Sequence, residues 1–291
     1  MSVTVKEITP QSIIKELEKE LYVADESLAT AVYLALKLEK PLLIEGEPGC
    51  GKTELAKVLA QMLNTDLIRL QCYEGITAAQ ALYEWDYPRQ LLHIRVMEQS
   101  KSYDEIESEI FSEKFLLKRP LLQAILHEGP RPPVLLIDEI DRSDEEFEGF
   151  LLEFLAEFQV TIPEVGTIKA KKKPIVIITS NRTREVGDGL RRRCLYIYVT
   201  YPSPEKEKRI LSLRVPELPE KLSSEVVDFI QRLRQVDDLS KKPGISETID
   251  WANALKALNA KEITPGVIRS TMSCFIKSED DVLRLRELGI L

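Results

Sequence analysis

The chain has little from which to build a metal centre or a disulfide framework. Its four cysteines, Cys50, Cys72, Cys194 and Cys274, are far apart, form no CxxC pair and have no neighbouring histidine. That excludes zinc-type spacing and points to free thiols in a reducing compartment. His93 and His127 are isolated and suggest no general base. Long apolar runs are missing: Val134–Ile137 and Ile175–Ile178 fall far short of the roughly 20 residues that span a bilayer. The opening stretch MSVTVKEITP lacks the basic-then-apolar order of a signal peptide, so a cytoplasmic chain without a membrane helix is expected. Positive charge is in deficit, with 40 Lys+Arg against 48 Asp+Glu and a net charge of −8. This disfavours a general nucleic-acid binder, whose affinity comes largely from cations neutralising phosphates. There are no internal repeats, and the one biased tract is Lys169-Ala170-Lys171-Lys172-Lys173.

What is present suffices for a sizeable core: 44% hydrophobic and 30% charged residues over 291 positions exclude disordered and collagen-like chains. Ile13–Leu21 and Leu28–Leu38 carry apolar residues at helical spacing. Five short apolar runs follow, Pro41–Ile44, Leu67–Leu70, Val134–Ile137, Ile175–Ile178 and Leu195–Val199. They are largely continuous, as expected of strands covered on both faces. Helical patterns between them, notably Thr53–Leu63 and Asp144–Phe158, imply an α/β fold with a parallel five-stranded sheet. After Tyr201-Pro202-Ser203-Pro204 only helical patterns remain: Glu205–Leu213, Ser223–Arg234, Glu247–Leu258, Pro265–Ile276 and Asp280–Leu288. The expected organisation is therefore an α/β domain over 1–202 and a small all-helical domain over 203–291, with Ser223 and Thr264 as helix starts.

Gly46-Glu47-Pro48-Gly49-Cys50-Gly51-Lys52-Thr53 fits G-x-x-x-x-G-K-[ST], follows a strand and opens a helix that continues with Glu54. Its glycines let backbone N–H groups turn inward around phosphates, Lys52 adds charge there, and Thr53 offers a hydroxyl to Mg²⁺. Cys50 sits inside this loop, where oxidation would block a nucleotide. Asp138 and Glu139 end the strand Val134–Ile137. Beside a phosphate loop, Asp138 reads as the magnesium-shell carboxylate and Glu139 as the group that polarises the attacking water. Asn181 ends the strand Ile175–Ile178 and either orients that water or caps the following turn. Arg191-Arg192-Arg193 precede Cys194. They offer a guanidinium to a neighbouring subunit's γ-phosphate or form a solvated basic turn.

The ordered set GEPGCGKT, LLIDEID, ITSN and LRRRC, with a helical C-terminal region, resembles the AAA+ ATPases over nearly the whole chain. Within them, LLIEGEPGCGKTELAKVLA, LQCYEG and EFQVTIPEVGTI resemble the MoxR branch, most nearly its CoxD-type subgroup. The resemblance implies Walker A at Gly46–Thr53, Walker B at Asp138 and Glu139, sensor 1 at Asn181, and an arginine finger at Arg193, with Arg192 second. It places Val23 and Ala24 near the adenine of ATP and the helical region as a lid. It also implies a ring oligomer, usually a hexamer, a chaperone-like remodelling activity, and a von Willebrand factor A domain adaptor supplied in trans. The client would be a metalloenzyme such as the molybdenum hydroxylase carbon monoxide dehydrogenase. One departure stands out: the expected sensor 2 arginine is absent at Ser246-Glu247-Thr248, leaving Arg269 as a substitute or a lid less tightly coupled to nucleotide.

Three weaker features complete the reading. Gln159–Lys169 reads as a β-hairpin before the sensor 1 strand, followed by the lysine tract, which touches a substrate or lies on a solvated edge. Tyr73, Tyr83, Trp85 and Tyr87 are packing residues or part of a gripping loop. Tyr103–Lys114 reads as an exposed helix. Alternatives to the remodelling ATPase are a nucleic-acid translocase of the restriction type and a nucleotide-gated scaffold with little turnover.

Overall fold

The computed structural model describes residues 8–97, 102–163, 165–237 and 239–290. Two helices open it, α1 (Pro10–Lys19) and α2 (Glu26–Leu38). Each start is set by a side-chain cap: Thr9 and Ser12 bond reciprocally at α1, and Asp25 accepts from the Leu28 N–H at 2.9 Å in α2. The chain then alternates between strands and helices: β1 (Leu42–Gly46), α3 (Lys52–Leu63), β2 (Leu67–Gln71). An insertion follows, made of α4 (Ala78–Leu82), β3 (Tyr83–Trp85), α5 (Tyr87–Met97), α6 (Tyr103–Ile110), β4 (Leu116–Lys118) and α7 (Pro120–Ile125). β5 (Val134–Asp138), α8 (Glu145–Glu157), the hairpin β6 (Gln159–Ile162) and β7 (Gly166–Lys169), β8 (Ile175–Ser180), α9 (Asp188–Arg193) and β9 (Leu195–Val199) complete the α/β part.

The five long strands form one parallel sheet in the order β2-β5-β8-β1-β9. Because side chains alternate along a strand, its two faces feed separate cores. Leu43, Leu135, Ile137, Val176 and Ile178 pack toward the insertion and α8. Leu42, Ile44, Val134, Leu136 and Ile177 pack toward α1, α2 and α3. Central strands β1 and β5 are buried throughout and β8 nearly so. The sheet edges depart from the expectation of full cover: β2 exposes Arg69 and Gln71, and β9 exposes Tyr196 and Tyr198. An edge strand has no neighbour on one side, so half its positions can stay wet.

The aromatic segment divides. Trp85 is buried edge-on against Phe111, with ring centroids 5.5 Å apart, whereas Tyr73 and Tyr87 are exposed. The Gln159–Lys169 hairpin is present, with Val160 and Ile162 buried; its Glu164 lies outside the described residues, as do residues 1–7 of the opening stretch. The lysine tract sits at the N-terminal edge of the sheet, where Lys172 donates to the Gly129 carbonyl at 2.6 Å and Lys173 pairs with Glu39 at 3.0 Å.

Beyond β9 come α10 (Pro204–Arg214), α11 (Glu220–Arg234), α12 (Ile245–Ala257), α13 (Pro265–Thr271) and α14 (Glu279–Glu287) around Phe229, Trp251 and Phe275. α11 begins at Glu220, a turn before the expected Ser223, because Leu222 already belongs to its buried face and the Pro219 carbonyl accepts from the Ser223 N–H at 2.9 Å. Three helices are pinned by one buried ion pair. Arg234 reaches both Glu207 oxygens at 2.7 Å, Thr248 donates to Glu207 at 2.6 Å, and Arg234 Nε donates to the Pro243 carbonyl at 2.7 Å. Removing one member would strand a charge that is fully enclosed. Among the described residues, no helix is long and apolar enough to cross a membrane.

Candidate functional site

The loop between β1 and α3 turns on two residues in the left-handed region, Gly49 (φ 75°) and Gly51 (φ 84°), conformations that a Cβ would strain. Gly46 is needed for a different reason, since a Cβ there would lie 2.0 Å from the Val199 carbonyl oxygen. α3 starts at Lys52 without a side-chain cap, leaving its first N–H groups for an anion. The Lys52 ammonium is buried and donates to the Gly46 and Glu47 carbonyls at 2.6 and 2.7 Å. Burial pushes its pKa down, against the pull of the neighbouring Asp141, Glu47 and Asp138 carboxylates.

Two cavities meet around Cys50, Gly51 and Glu54. The first, about 330 Å³, is lined by Pro48 to Glu54, Asp138, Glu139, Thr179 and Asn181. The second, about 300 Å³, is mostly apolar, with Tyr22, Val23, Val199, Pro202, Ile210, Ile245 and Ile249 on its walls. A cradle of backbone donors beside an apolar slot fits the phosphates and the base of one nucleotide. Glu54 lines both and is held by Arg214 at 2.8 Å. Ala24 packs into the core beside α2 and lines neither, and the Glu47 side chain turns away toward Tyr198.

The Thr53 hydroxyl donates to Asp138 Oδ1 at 3.0 Å. Two hard oxygens this close suit Mg²⁺, which takes few protein ligands and keeps its waters. Thr179 bonds Asp138 as well, and its oxygen accepts the Glu139 N–H at 3.0 Å. That contact helps to hold Glu139 in the left-handed region (φ 56°), an uncommon place for a non-glycine residue. Three donors reach the Glu139 carboxylate: Asn181 Nδ2 at 3.2 Å, Gln71 Nε2 at 3.0 Å and Arg142 Nε at 2.9 Å. Burial alone would raise the Asp141 carboxyl, but hydrogen bonds from Thr183 and from the Asn181 N–H outweigh it and hold its pKa below the usual range. Asp141 thereby fixes the backbone from which Asn181 projects.

The three arginines diverge. Arg191 pairs with buried Glu45 at 2.8 Å and lies over the Tyr196 ring. Arg193 donates to the Leu152 carbonyl. Arg192 has 83% of its side chain exposed and approaches Asp188 only to 4.0 Å. At the place of the missing sensor 2 arginine, Ser246 lines both cavities, Glu247 accepts from the Gly244 N–H at 3.0 Å and Thr248 belongs to the buried Glu207 network. Arg269 is exposed on α13 and lines neither cavity. The sequence alone does not single out Arg69, Gln71, Thr179, Asp141 or Tyr22. Their one signal there is position at a strand end or beside an expected pocket.

A parallel sheet carrying a phosphate loop, paired carboxylates and a polar strand end on one edge defines a P-loop nucleoside triphosphatase. Residues 41–194 match the AAA domain (dynein-related subfamily), and the chain belongs to that family. It is an AAA+ ATPase. It is 25% identical to the chaperone MoxR1 of Mycobacterium tuberculosis over 200 residues, 66% of this chain and 45% of that one. An uncharacterized protein of Staphylococcus haemolyticus is 26% identical over 238 residues, 80% of this chain and 81% of its own length. Among solved structures, a RuvB mutant of Thermotoga maritima shares the fold at TM-score 0.52 and 18% identity, over 90% of this chain and 73% of that one.

Proposed function

We propose that the chain hydrolyses Mg-ATP as a ring of identical subunits and uses the motion of residues 203–291, acting as a lid, to remodel a protein client. The observation that carries the chemistry is the convergence of Lys52, Thr53, Asp138, Glu139 and Asn181 on one cavity. Thr53 and Asp138 would hold magnesium, whose charge would offset that developing on the phosphates. Glu139 accepts the proton of the attacking water, and Asn181 orients the Glu139 carboxylate. Val23 and the Ile245–Ile249 turn enclose the base.

The trans finger is best supplied by Arg192, whose exposed guanidinium is available to a neighbour, with Arg193 second. The CoxD-type assignment, a von Willebrand factor A domain adaptor and a molybdenum hydroxylase client rest on the sequence resemblance. The name of the MoxR1 relative supports a chaperone role only at the coarser level. A nucleic-acid translocase gains little from the lysine tract, since Lys172 and Lys173 make contacts on the sheet edge opposite the nucleotide.

The test is steady-state ATPase rate against protein concentration, with light scattering in the presence and absence of Mg-ATP. A rate per subunit that climbs as a nucleotide-dependent ring assembles supports the reading. A constant rate from a persistent monomer removes the trans finger.

A further inference from the structure

Asp138 already has a cation. Its carboxylate is 2% exposed, and besides the two threonine hydroxyls it receives Arg69 Nη2 on Oδ2 at 2.6 Å. The hydroxyls are compatible with a metal beside the carboxylate, whereas a guanidinium supplies the same positive charge that a metal would bring. Arg69 stands on β2, whose register sets Gln71 opposite Asp138, so its side chain lies two residues back on the same face and reaches forward. The same Nη2 also donates to Gln71 Oε1. With its oxygen turned to Arg69, the Gln71 amide presents its nitrogen to Glu139 Oε2 at 3.0 Å. One guanidinium therefore links the two site carboxylates, directly on one side and through an amide on the other.

We propose that Arg69 is a positioning residue that neutralises Asp138 before the metal arrives and gives up Asp138 Oδ2 when Mg²⁺ binds. The inference rests on the reading of Asp138 as the magnesium-side carboxylate. An enclosed carboxylate without a counter-charge is costly, so Asp138 is stabilised by a cation beside it. Two cations on one carboxylate repel, so the metal and the guanidinium compete. Arg69 has room to yield, because 49% of its side chain is exposed. A single Nη2, with its two N–H bonds, serves Asp138 and Gln71 together.

The probe is Mn²⁺ in place of Mg²⁺, with free Mn²⁺ read by electron paramagnetic resonance on the full chain saturated with ADP. Arg69→Gln should bind Mn²⁺ about tenfold more tightly than the unaltered chain. Arg69→Lys, which keeps the charge, should stay within about twofold. Equal or weaker binding by Arg69→Gln, or equal tightening by both variants, overturns the competition. Asp138→Asn separates this proposal from the reading beneath it: Mn²⁺ binding unchanged in Asp138→Asn sinks both, while its loss beside an unaffected Arg69→Gln sinks only the role of Arg69. Should Arg69→Gln not fold, the unaltered chain still decides. Its arginine side-chain ¹⁵N signal for Arg69, assigned by its absence in Arg69→Lys, should move and broaden when Mg²⁺ joins the ADP complex, and an unmoved signal overturns the proposal.

Discussion

The backbone N–H of Ile245 donates to the carbonyl of Gly49 at 2.9 Å, so the helix at the sensor 2 place is hydrogen-bonded to the phosphate loop itself. Gly244 makes this approach achievable: a Cβ there would lie 2.8 Å from Gly49 Cα and 2.9 Å from Gly49 O. Both obstacles are backbone and cannot swing aside. Gly244→Ala should therefore push α12 off the loop and open the base cavity that Ile245, Ser246 and Ile249 help to close. Affinity for a fluorescent ADP analogue should weaken about tenfold, roughly 1.4 kcal/mol, while the core around Trp251 keeps its fluorescence. Unchanged affinity would mean that the loop and α12 are not coupled.

Glu139→Gln keeps the shape of the side chain and removes its basicity. The amide oxygen can still accept from Asn181, so nucleotide binding should persist. Turnover should fall by a factor of about 100 or more, the usual contribution of a positioned base. Single-turnover hydrolysis with enzyme in excess measures the chemical step alone, and a near-normal rate there would take Glu139 out of the reaction.

How much of this was legible beforehand follows from how local each signal is. The phosphate loop needs only glycines, a lysine and a threonine at fixed spacing between a strand and a helix, so it could be read directly. The place of Asp138 and Glu139 at the end of β5 is legible for the same reason, since an apolar run that stops at two carboxylates marks its own end. The contacts of Arg69 and Gln71 are not, because they depend on β2 lying beside β5, and strand order is a property of the whole sheet. The three arginines carry no internal pattern. Only the position of Glu45 on the neighbouring β1 selects Arg191 for a structural pair and leaves Arg192 outward. Ser223 and Ser224 suggest a cap, yet α11 starts earlier because the buried Leu222 sets the helix face.

That division among the arginines predicts two different phenotypes. Arg191→Ala leaves the buried Glu45 carboxylate with the Tyr196 hydroxyl at 3.0 Å. It should lower stability by about 3 kcal/mol, the cost typical of leaving an enclosed carboxylate without its cation. Arg192→Ala should melt within about 0.5 kcal/mol of the unaltered chain and bind ATP normally, yet lose turnover. Mixing it with Glu139→Gln subunits, which cannot hydrolyse but still carry Arg192, should restore activity at intact sites. Thermal melts and the mixing curve check both, and failure of every mixture would argue that the arginine acts within its own subunit or not at all.

Cys50 lies in the phosphate loop and lines both cavities, which makes it an obvious candidate for oxidative control. Its environment argues the other way. Burial pushes the thiol up to about 11, and the nearby Lys52 ammonium only partly offsets this. The thiolate is the reactive form, so raising the pKa means that reactivity appears only as pH climbs toward 11. At pH 7.5, alkylation of Cys50 by iodoacetamide should run about a hundredfold slower than that of an unburied thiol, and it should gain about tenfold per pH unit until near the pKa. Bound ADP should slow it further by filling the space on either side of the sulfur. Peptide mass spectrometry across a pH series, with and without ADP, reads the site directly. Fast modification at neutral pH would show that the loop spends much of its time open, and would restore oxidation of Cys50 as a means of stopping the ATPase.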